Sequence, residues 1–562
     1  MISATGPRLG DLRGRQAPWL AAGFALVGIA LILYLGRRLN FFGDEWTFIF
    51  IRRGSDPQVF FGPHNEHWST IPVLIYRALF ATVGLRSYWP YLLVLELLHA
   101  GSALLLFAII RRRAGAVLGL GAMLVFLFLG RGGENILWAF QIGFVGSVFC
   151  GLLATLLLDP PQTTIARRAA ASLMLVASLM FSGIGLFFCG AIAVDLLLDR
   201  QRRSALWVLI APALAYLVWY FTFGAAGITS HRSPFSVAAL LSLVHYVPFG
   251  LGSAIAGLAG FSSHWGEAAL AAAAALLAIR WYTRGRVDSR VVGALAGVIL
   301  QFALTGLVRA QLGDDQAAAP RYVYVAAAFL LPVAADALAD LPWRGILGWL
   351  AMAAFALALV NGGIHLRSFA SERDAVIVLQ QAELQTLVAF RGAPDMNLNQ
   401  QIDPAVMPPV TAGLYFAAID ALGSPLPAVD LAGLRALPGA AVNQAMVSAF
   451  SGSLQISQAA PTPQGTPIGA GCADHPGEST VYADVTVRSR GSVTIDATDG
   501  GLASLWLSYL SDPVGAPQRQ VFLVPGTRTV VTAPDTGSPI DWRLRVGLPP
   551  AGQITICSTT TG

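Results

Sequence analysis

The sequence contains no lysine, few charged residues and only four cysteines. All 36 basic residues are arginines, and charged residues make up 12% of the 562 positions, about half the ~25% typical of soluble proteins. Hydrophobic residues make up 55%. This balance excludes a wholly soluble chain, because so much apolar surface needs a solvent other than water. The absence of a CxxC or paired Cys/His spacing excludes the common zinc motifs.

Long apolar runs recur through the first two thirds of the chain. A membrane-crossing helix needs about 20 apolar residues, and about eleven runs approach that length. The first is read as a retained helix, since no small-residue cleavage site precedes Arg37. The predicted spans are 17–35, 89–110, 115–130, 141–158, 169–182, 185–198, 205–223, 266–281, 291–309, 322–339 and 346–366.

The arginines predict an orientation, because cytoplasmic loops of membrane proteins are rich in basic residues. If the spans alternate, five basic loops share one side: 111–113, 167–168, 200–203, 284–290 and Arg344. That side is predicted to be cytoplasmic, in a bacterial inner membrane. The scattered arginines form no stripe of the kind that binds nucleic acid. We therefore expect an internal N-terminus and an external C-terminal domain.

Two segments complicate this topology. The predicted external loop 36–88 contains six arginines, which are expected either to bind phosphate or to be solvated at the membrane surface. The segment 234–260 is apolar but interrupted by His245, Pro248 and several glycines. It is predicted to be an interfacial or re-entrant segment on the external side, which is tolerated where protein or water covers its backbone.

The composition changes after residue 366, which predicts three regions: a transmembrane domain (1–366), an extracytoplasmic helical and linker region (367–470) and a β-sandwich (471–562). Alternating strands are expected at 481–485, 505–509, 520–524, 542–546 and 554–557. Cys472 and Cys557 flank this region and would lie in an oxidising compartment. We predict a disulfide between them that joins the start of the sandwich to its last strand; the alternative is two buried thiols.

The first predicted external loop contains an acidic pair, Asp44 and Glu45, close to the end of the first span. One carboxylate there could accept a proton from a hydroxyl group. Repulsion between the two would raise the proton affinity of one of them. Phe41, Phe42 and Trp46 are suited to the headgroup level of a membrane. The alternative is an ordinary solvated loop.

The same loop contains His64, Glu66 and His67. If this stretch is helical, the two histidines share a face and could hold a divalent cation, Mg²⁺ or Mn²⁺, with Glu66. Such a short pattern is common by chance, so contact with a substrate is the alternative. No cofactor other than this cation is expected.

The other predicted external loops contribute further polar groups suited to a sugar or a phosphate. Flat aromatic faces suit the C–H surfaces of sugars, and planar polar groups suit their hydroxyls. The guanidinium of Arg321 is suited to clamp a phosphate, although an arginine at a span end often only reaches towards the interface. The predicted substrate-binding residues outside the first loop are Glu134, Asn135, Trp138, Gln141, His231, Arg321 and Tyr322.

The ordered set of motifs resembles the glycosyltransferase-C superfamily, which includes the protein O-mannosyltransferases and the aminoarabinose transferases. The set comprises an acidic pair after the first helix (43–46), a long first loop with His64 to His67, and a second acidic loop with the segment 138–144. A short hairpin (180–185) and an Arg-Tyr pair entering a late helix (321–322) complete it. The resemblance covers residues 1 to about 366. The C-terminal region is similar only in architecture to the carbohydrate-binding modules of actinobacterial arabinofuranosyltransferases.

The resemblance implies an enzyme that takes a sugar from a polyprenyl-phosphate donor and inverts its anomeric centre. Asp44 would be the catalytic base and Glu45 its partner, Glu134 a residue of the second loop's site and Arg321 a ligand of the donor phosphate. The acceptor would be a glycan, lipid or protein of the cell envelope, and the partners would include membrane lipids but no nucleic acid. The chain departs from many relatives in having Glu134-Asn135 in place of an aspartate-based motif.

Two other functions remain open from the sequence. A transporter or flippase of a lipid-linked saccharide would also need external polar loops, and it would use the intramembrane pair Glu96 and His99. Transporters usually contain internal repeats with broken helices, and the sequence has none. The other alternative to a glycosyltransferase is a non-catalytic protein of envelope assembly. The polar residues gather on one predicted side, which favours an active site on a single face.

Overall fold

The computed structural model describes most of the chain. The described residues are 16–160, 162–225, 237–341, 343, 345–460, 472–476, 482–498, 500–512, 516–547 and 553–559. Two predicted features, His231 and Arg344, lie outside them. The chain divides into two compact units. The first comprises 1–39, 51–82 and 88–373, and the second comprises 40–50, 83–87 and 374–562.

Helices dominate the first unit, and their bounds follow the apolar runs of the sequence. Glycine and capping residues separate neighbouring helices. Gly115, with φ +90°, lies between the helix that ends at Ala114 and the one that begins at Ala116. Asp288 caps the helix that begins at Ser289, because its side chain accepts a hydrogen bond from Arg290 N at 2.9 Å. In chain order the helices are α1 (Gln16–Leu35), α2 (Glu45–Ile51, mostly in the second unit), α3 (Pro57–Phe61), α4 (Thr70–Thr82), α5 (Trp89–Ala114), α6 (Ala116–Leu127), α7 (Gly133–Leu137), α8 (Ile142–Leu158), α9 (Ile165–Phe181), α10 (Gly185–Leu198), α11 (Ile210–Thr222), α12 (Val237–Leu258), α13 (Gly266–Arg284), α14 (Ser289–Arg309), α15 (Pro320–Leu338) and α16 (Ile346–Ala389).

The helices confirm a polytopic α-helical membrane protein. Within the described residues, eight helices are long and apolar enough to cross a membrane, or nine when the bent pair formed by α6 and residues 130–137 counts as one span. The predicted number was about eleven. The predicted spans 169–182, 185–198 and 266–281 are the helices α9, α10 and α13, which fall outside this count; α9 and α10 have only 17 and 14 residues.

Arginines and aspartates meet at one end of the helical bundle. Asp159 follows α8 and forms ion pairs with Arg113 and, at 3.5 Å, with Arg290. Arg202 pairs with Asp195 and, at 2.7 Å, with Asp199. The basic loops after α5, α10 and α13 therefore lie together, as their predicted placement on one side requires.

Helix α12 occupies the segment predicted to be broken, and it is continuous over 22 residues with Pro248 inside it. The prediction of a broken segment is therefore wrong. Both halves nevertheless lie at the same end of the bundle. A Cβ on Gly306, in the last turn of α14, would lie 2.6 Å from Leu243, and a Cβ on Gly257 would lie 2.9 Å from Val323, in the first turn of α15. Helix α12 is nevertheless one of the eight helices long and apolar enough to cross a membrane, so the interfacial placement stays a prediction.

The helical part of the second unit includes the end of a very long helix. Helix α16 has 44 residues, about 66 Å at 1.5 Å per residue. It joins the predicted span 346–366 and the start of the predicted helical and linker region (367–470) into one element. The region 392–454 then adds α17 (Ala412–Leu422) and α18 (Gly439–Phe450). Thr411 caps α17 by accepting from Leu414 N at 3.2 Å.

The rest of the second unit confirms the predicted β-sandwich. Its strands are β1 (Gln455–Ala459), β2 (Cys472–Pro476), β3 (Tyr482–Val487), β4 (Ser492–Ala497), β5 (Gly501–Ser508), β6 (Arg519–Leu523), β7 (Arg528–Thr532), β8 (Trp542–Gly547) and β9 (Gln553–Thr559). One sheet has the order β1-β7-β4-β9-β2 and the other β3-β8-β5-β6. Inward residues alternate along the strands; Ala503, Leu505 and Leu507 of β5 are all buried.

The predicted disulfide between Cys472 and Cys557 is present. The two residues are direct partners in the antiparallel pair of β2 and β9. Cys472 does not mark the start of the sandwich, however, because β1 precedes it and pairs with β7. The bond instead fixes β2, an edge strand, to the last strand of the sheet. Cys150 and Cys189 are free thiols within helices.

Candidate active site

Four predicted site residues form a buried chain of hydrogen bonds in the first unit. Asn135 donates to Gln141 at 3.3 Å, and Gln141 donates to Oε1 of Glu134 at 3.2 Å. Arg321, in the first turn of α15, donates from Nη1 to the same Oε1 at 3.1 Å. Asn135 is fully buried, and Gln141 and Glu134 are nearly so. The structure thus unites residues that the sequence placed in two loops, and it fixes the Glu134 carboxylate between an amide and a guanidinium.

Glycines place this second loop against its neighbours. A Cβ on Gly130 would lie 2.4 Å from the carbonyl oxygen of Gly362, and one on Gly132 would lie 3.2 Å from Tyr324. These contacts leave no room for a side chain at Gly130. The close approach allows α7 to begin at Gly133 and to direct Glu134 and Asn135 into the buried chain.

The two predicted histidines of the first loop meet the second loop through aromatic rings. His64 and His67 exchange two backbone hydrogen bonds of 3.0 Å across a tight turn, in which Asn65 has φ +51°. The stretch is therefore a turn and not a helix. The His64 ring lies 5.1 Å from Phe140 and the His67 ring 5.3 Å from Phe144, both edge to face.

His67 also reaches the hairpin between α9 and α10, where its Nδ1 lies 3.4 Å from Ser182 Oγ. Burial lowers the pKa of His67 to about 4; the nearby Glu66 opposes this, and His64, Arg309 and Arg321 reinforce it. The imidazole is therefore neutral at physiological pH. A neutral ring of this kind can donate or accept a hydrogen bond but brings no charge to the site.

A second ion pair involves Glu66, which lies between His64 and His67 in the sequence. Arg309, at the end of α14, lies 3.5 Å from Glu66. The surroundings of His67 include both Arg309 and Arg321. The polar loop cluster, as we name Glu66, Glu134, Gln141, Arg309 and Arg321, is therefore drawn from four separate segments of the chain.

Two arginines of the first loop have structural partners. Arg52 is buried and donates to the carbonyl oxygens of Gln58, Val59 and Pro63 at 2.8–3.0 Å. Arg77 donates to the carbonyl oxygen of Gly54 at 2.7 Å. Arg52 is therefore neither solvated nor free for phosphate, because loop carbonyls hold it in the interior; for Arg77, phosphate binding stays a prediction.

The predicted catalytic pair belongs to the second unit. Asp44 is exposed, whereas Glu45 is fully buried as the first residue of α2. Glu45 Oε2 accepts a hydrogen bond from the backbone N–H of Phe42 at 3.1 Å. The two carboxylates thus have different surroundings. Only Asp44 offers an accessible carboxylate, while Glu45 fixes the backbone that leads into α2.

The aromatic residues around this pair are interior residues. Phe41, Phe42 and Trp46 are each no more than 5% exposed, so their predicted place at the headgroup level is wrong. Trp46 packs edge to face on Tyr415 of α17 at 5.8 Å, and Gln380 of α16 donates to the carbonyl oxygen of Phe41 at 2.7 Å. Packing within a protein domain replaces the membrane contact that the sequence suggested.

The metal prediction gains no support from side-chain placement. Within the described ranges, no group of three His, Cys, Asp or Glu side chains is arranged to hold a metal ion. Glu66, the third residue of the predicted set, pairs with Arg309. The cation at His64 and His67 stays a prediction.

Two further predicted residues border the hydrogen-bonded chain. Tyr322 is buried, and its carbonyl oxygen accepts from Gln301 at 2.8 Å. Trp138 is half-buried, and its ring lies 5.2 Å from that of Phe140. Both rings therefore pack within the loops, and neither stands isolated at a membrane surface.

The intramembrane residues Glu96 and His99 do not pair with each other. His99 bonds to the Tyr324 hydroxyl at 2.9 Å and to the Leu127 carbonyl oxygen at 3.1 Å. Both carboxyl oxygens of Glu96 are buried without a hydrogen-bond partner among the described residues. The two side chains therefore have separate surroundings among the described residues.

Sequence reasoning did not single out three residues of this region. Arg309 and Ser182 lie at helix ends, where the sequence shows only an ordinary terminal arginine and a small hairpin residue. Arg131 begins the second loop, and its only signal was its place before two glycines. Their roles depend on contacts with distant segments, which no local pattern reveals.

In the second unit, one face of the four-stranded sheet displays aromatic and charged side chains. Asp484, Arg545 and Trp506 are aligned across β3, β8 and β5, and Arg545 binds Asp484 through two hydrogen bonds of 2.7 and 2.8 Å. The Tyr482 ring lies 5.6 Å from Trp506. A Cβ on Gly547 would lie 2.8 Å from Trp506, so the glycine opens space between the rings.

The solved structures with a similar fold include two of one protein. Both are ArnT from Cupriavidus metallidurans, one in the apo state and one bound to undecaprenyl phosphate. Each has a TM-score of 0.48 and 14% identity. The apo structure covers 73% of this chain and 86% of its own, and the other covers 91% and 97%. No protein-family model and no curated protein matches the chain.

The likeness concerns the fold. The activity is therefore argued below from the residues of this chain.

Proposed function

We propose that the protein transfers a sugar from a polyprenyl-phosphate donor to an acceptor of the cell envelope, with inversion at the anomeric carbon. The observation that carries this proposal is the polar loop cluster at one end of a membrane-embedded helical bundle. A lipid-linked donor presents its headgroup at such an end, and the cluster combines carboxylates, amides and guanidinium groups beside aromatic rings. These groups are suited to bind sugar hydroxyls and phosphate.

The proposed reaction needs a base and a means to stabilise the leaving group. The acceptor oxygen forms a bond to the sugar C1, the bond from C1 to the phosphate oxygen breaks, and the acceptor proton passes to a carboxylate. Asp44 is the proposed base because its carboxylate is exposed. Glu45 is buried and bonded to Phe42, and it is the fallback.

The polar loop cluster is proposed to bind the donor headgroup. Arg321 and Glu134 would contact the sugar and phosphate from one side, while His64, His67 and Glu66 would line the other. Undecaprenyl phosphate, which is bound in one of the two similar structures, is the first lipid carrier to test. The orientation remains as predicted from the arginines, with this end of the bundle outside the cytoplasm.

The test is a panel of polyprenyl-phosphate sugars supplied to the purified full chain in proteoliposomes, with cell-envelope extract as acceptor. Consumption of one donor with release of polyprenyl phosphate is the expected result. Asp44→Asn should abolish it, and Asp420→Asn, which changes an exposed carboxylate of α17 in the second unit, should not. Addition of EDTA to the same assay tests the predicted cation.

The alternative functions give different results in this assay. A flippase would move a labelled lipid-linked sugar across the vesicle membrane without consuming it. An assembly protein would do neither. Either result would overturn the proposed transfer reaction.

We also propose that the exposed face of β3, β8 and β5 binds carbohydrate. Tyr482 is 54% exposed and lies beside the half-buried Trp506. Two rings with polar edges suit the C–H faces of sugars, and the Asp484–Arg545 pair beside them suits hydroxyl groups. Such a surface would retain a glycan acceptor near the enzyme.

A further inference from the structure

Three arginines outside the first loop lie in or beside the polar loop cluster, and they differ in their partners. Arg321 pairs with Glu134 at 3.1 Å, and Arg309 pairs with Glu66 at 3.5 Å. Arg131 has no carboxylate partner among the described residues, and its Nε is buried without a hydrogen-bond partner there. A half-buried guanidinium without an anion is costly unless an anion or water meets it.

The backbone around Arg131 is firmly placed. Its neighbour Gly130 packs against Gly362. A Cβ on Gly257 of α12 would lie 3.5 Å from Arg131 Cβ and 2.9 Å from Val323 Cγ1. Arg131 therefore starts beside the first turn of α15, which also contains Arg321. Its backbone is therefore held next to the polar loop cluster.

We propose that Arg131 binds the phosphate group of the lipid-linked donor and of the polyprenyl phosphate that the reaction releases. The inference rests on the proposed function and deepens it. Glu134 and Glu66 already engage Arg321 and Arg309, whereas Arg131 keeps a buried Nε without a partner among the described residues and can take an anionic partner from outside. Its planar fork of N–H donors matches two phosphate oxygens.

The chemistry also requires a cation at this position. When the C1–O bond breaks, its electron pair stays with the phosphate oxygen, so the phosphate gains negative charge as the acceptor proton leaves for the base. A fixed guanidinium beside that oxygen stabilises the developing charge without reorganisation. Arg131 would thus contact the leaving phosphate beside Arg321, whose charge is shared with Glu134.

The test measures binding of undecaprenyl phosphate to the full chain in detergent, for the wild type and for Arg131→Gln, Arg131→Lys and Arg200→Gln. Arg200 is exposed in the loop after α10 and serves as the matched control. Loss of a charge-assisted hydrogen bond predicts about 10- to 100-fold weaker binding for Arg131→Gln. Arg131→Lys should be intermediate, because it keeps the charge but loses the fork.

Undecaprenol and inorganic phosphate complete the test. Undecaprenol lacks the phosphate, and its binding should be weak and equal in all variants. Inorganic phosphate should compete with undecaprenyl phosphate in the wild type and fail to do so in Arg131→Gln. Thermal unfolding of each variant shows that the fold is retained.

Three results would overturn the inference. The first is equal binding of undecaprenyl phosphate by the wild type and Arg131→Gln. The second is a loss of undecaprenol binding in Arg131→Gln as large as the loss of undecaprenyl phosphate binding. The third is a failure of Arg131→Lys to bind undecaprenyl phosphate better than Arg131→Gln. If Arg131-dependent binding is found but no donor is consumed, the phosphate site stands and the proposed transfer reaction fails.

Discussion

Arg321 and Glu134 form an ion pair of 3.1 Å although 187 residues separate them in sequence. The contact joins the first turn of α15 to α7. Gln141 donates to the same carboxylate oxygen, so the carboxylate has two donors. A site residue and a predicted phosphate ligand therefore hold each other, and both are positioned before any substrate arrives.

This pair should be energetically coupled. In a double-mutant cycle with Glu134→Ala and Arg321→Ala, we expect a coupling free energy of about 1–3 kcal/mol, since each single change leaves the other group without its partner. Equilibrium unfolding in detergent measures it. The exposed pair Arg391 and Asp420, with 45% and 56% of their side chains accessible, provides the control and should couple by less than about 1 kcal/mol. Equal coupling in both pairs would mean that burial adds nothing at Glu134.

The His67 environment predicts a pH dependence of stability. Burial lowers the pKa of His67 to about 4, below the ~6.5 of an unfolded histidine. The unfolded chain therefore takes up this proton first, so stability present above pH ~6.5 is lost as the pH falls from there towards 4. The thermal unfolding midpoint should drop more between pH 7.5 and 5 for the wild type than for His67→Asn. His264→Asn, at an exposed histidine, should keep the wild-type dependence. Equal slopes for wild type and His67→Asn would contradict this account.

Much of the fold could be predicted from the sequence, because a long run of apolar residues indicates a membrane helix without knowledge of its neighbours. Each predicted span became a helix, and the five predicted strands appear as β3, β5, β6, β8 and β9. Strands β1, β2, β4 and β7 were missed. Of these, β1 lies in a region whose composition indicated helices and linkers. Its strand conformation comes from pairing with β7, which local sequence does not encode.

The site was predictable as a list of residues but not as an arrangement. The bond from Gln141 to Glu134 spans seven residues, and both lie in one predicted loop. The pairs Glu134–Arg321 and Glu66–Arg309 depend on how distant helix ends meet. The burial of Trp46 was also hidden, because its partner Tyr415 belongs to α17, more than three hundred residues later. Aromatic residues after a membrane helix look alike whether a lipid or a protein domain covers them.

The disulfide between Cys472 and Cys557 should stabilise the second unit. It closes a loop with a sequence separation of 85, and loss of such a bond typically costs about 2–5 kcal/mol. Cys472→Ser, Cys557→Ser and the double variant should therefore unfold at lower temperature by similar amounts. The wild type treated with reductant should match them. Cys150→Ser serves as the control, since Cys150 is a free thiol. A double variant as stable as the wild type would show that strand pairing alone holds β2.

The aromatic sheet face should bind soluble glycans. Trp506→Ala and Tyr482→Ala should each weaken binding of a cell-envelope polysaccharide by about tenfold, as expected for losing about 1.4 kcal/mol of ring contact. Isothermal titration of the full chain measures this. Leu398→Ala changes an apolar residue that is 48% exposed outside the sheet and should bind normally. If the three variants bind alike, the sheet face is not the glycan site.

Asp44 and Glu45 should respond differently to loss of charge. Asp44 is exposed, and Asp44→Asn should preserve the unfolding temperature while lowering the transfer rate at least about a hundredfold, the usual effect of losing a general base. Glu45 is buried and accepts from the N–H of Phe42, so Glu45→Gln should mainly lower stability and leave the folded fraction active. Rate per folded molecule, with polyprenyl-phosphate binding measured in parallel, separates the two effects. A stable but inactive Glu45→Gln beside a fully active Asp44→Asn would exchange the roles. Activity in both variants would mean that the base lies elsewhere.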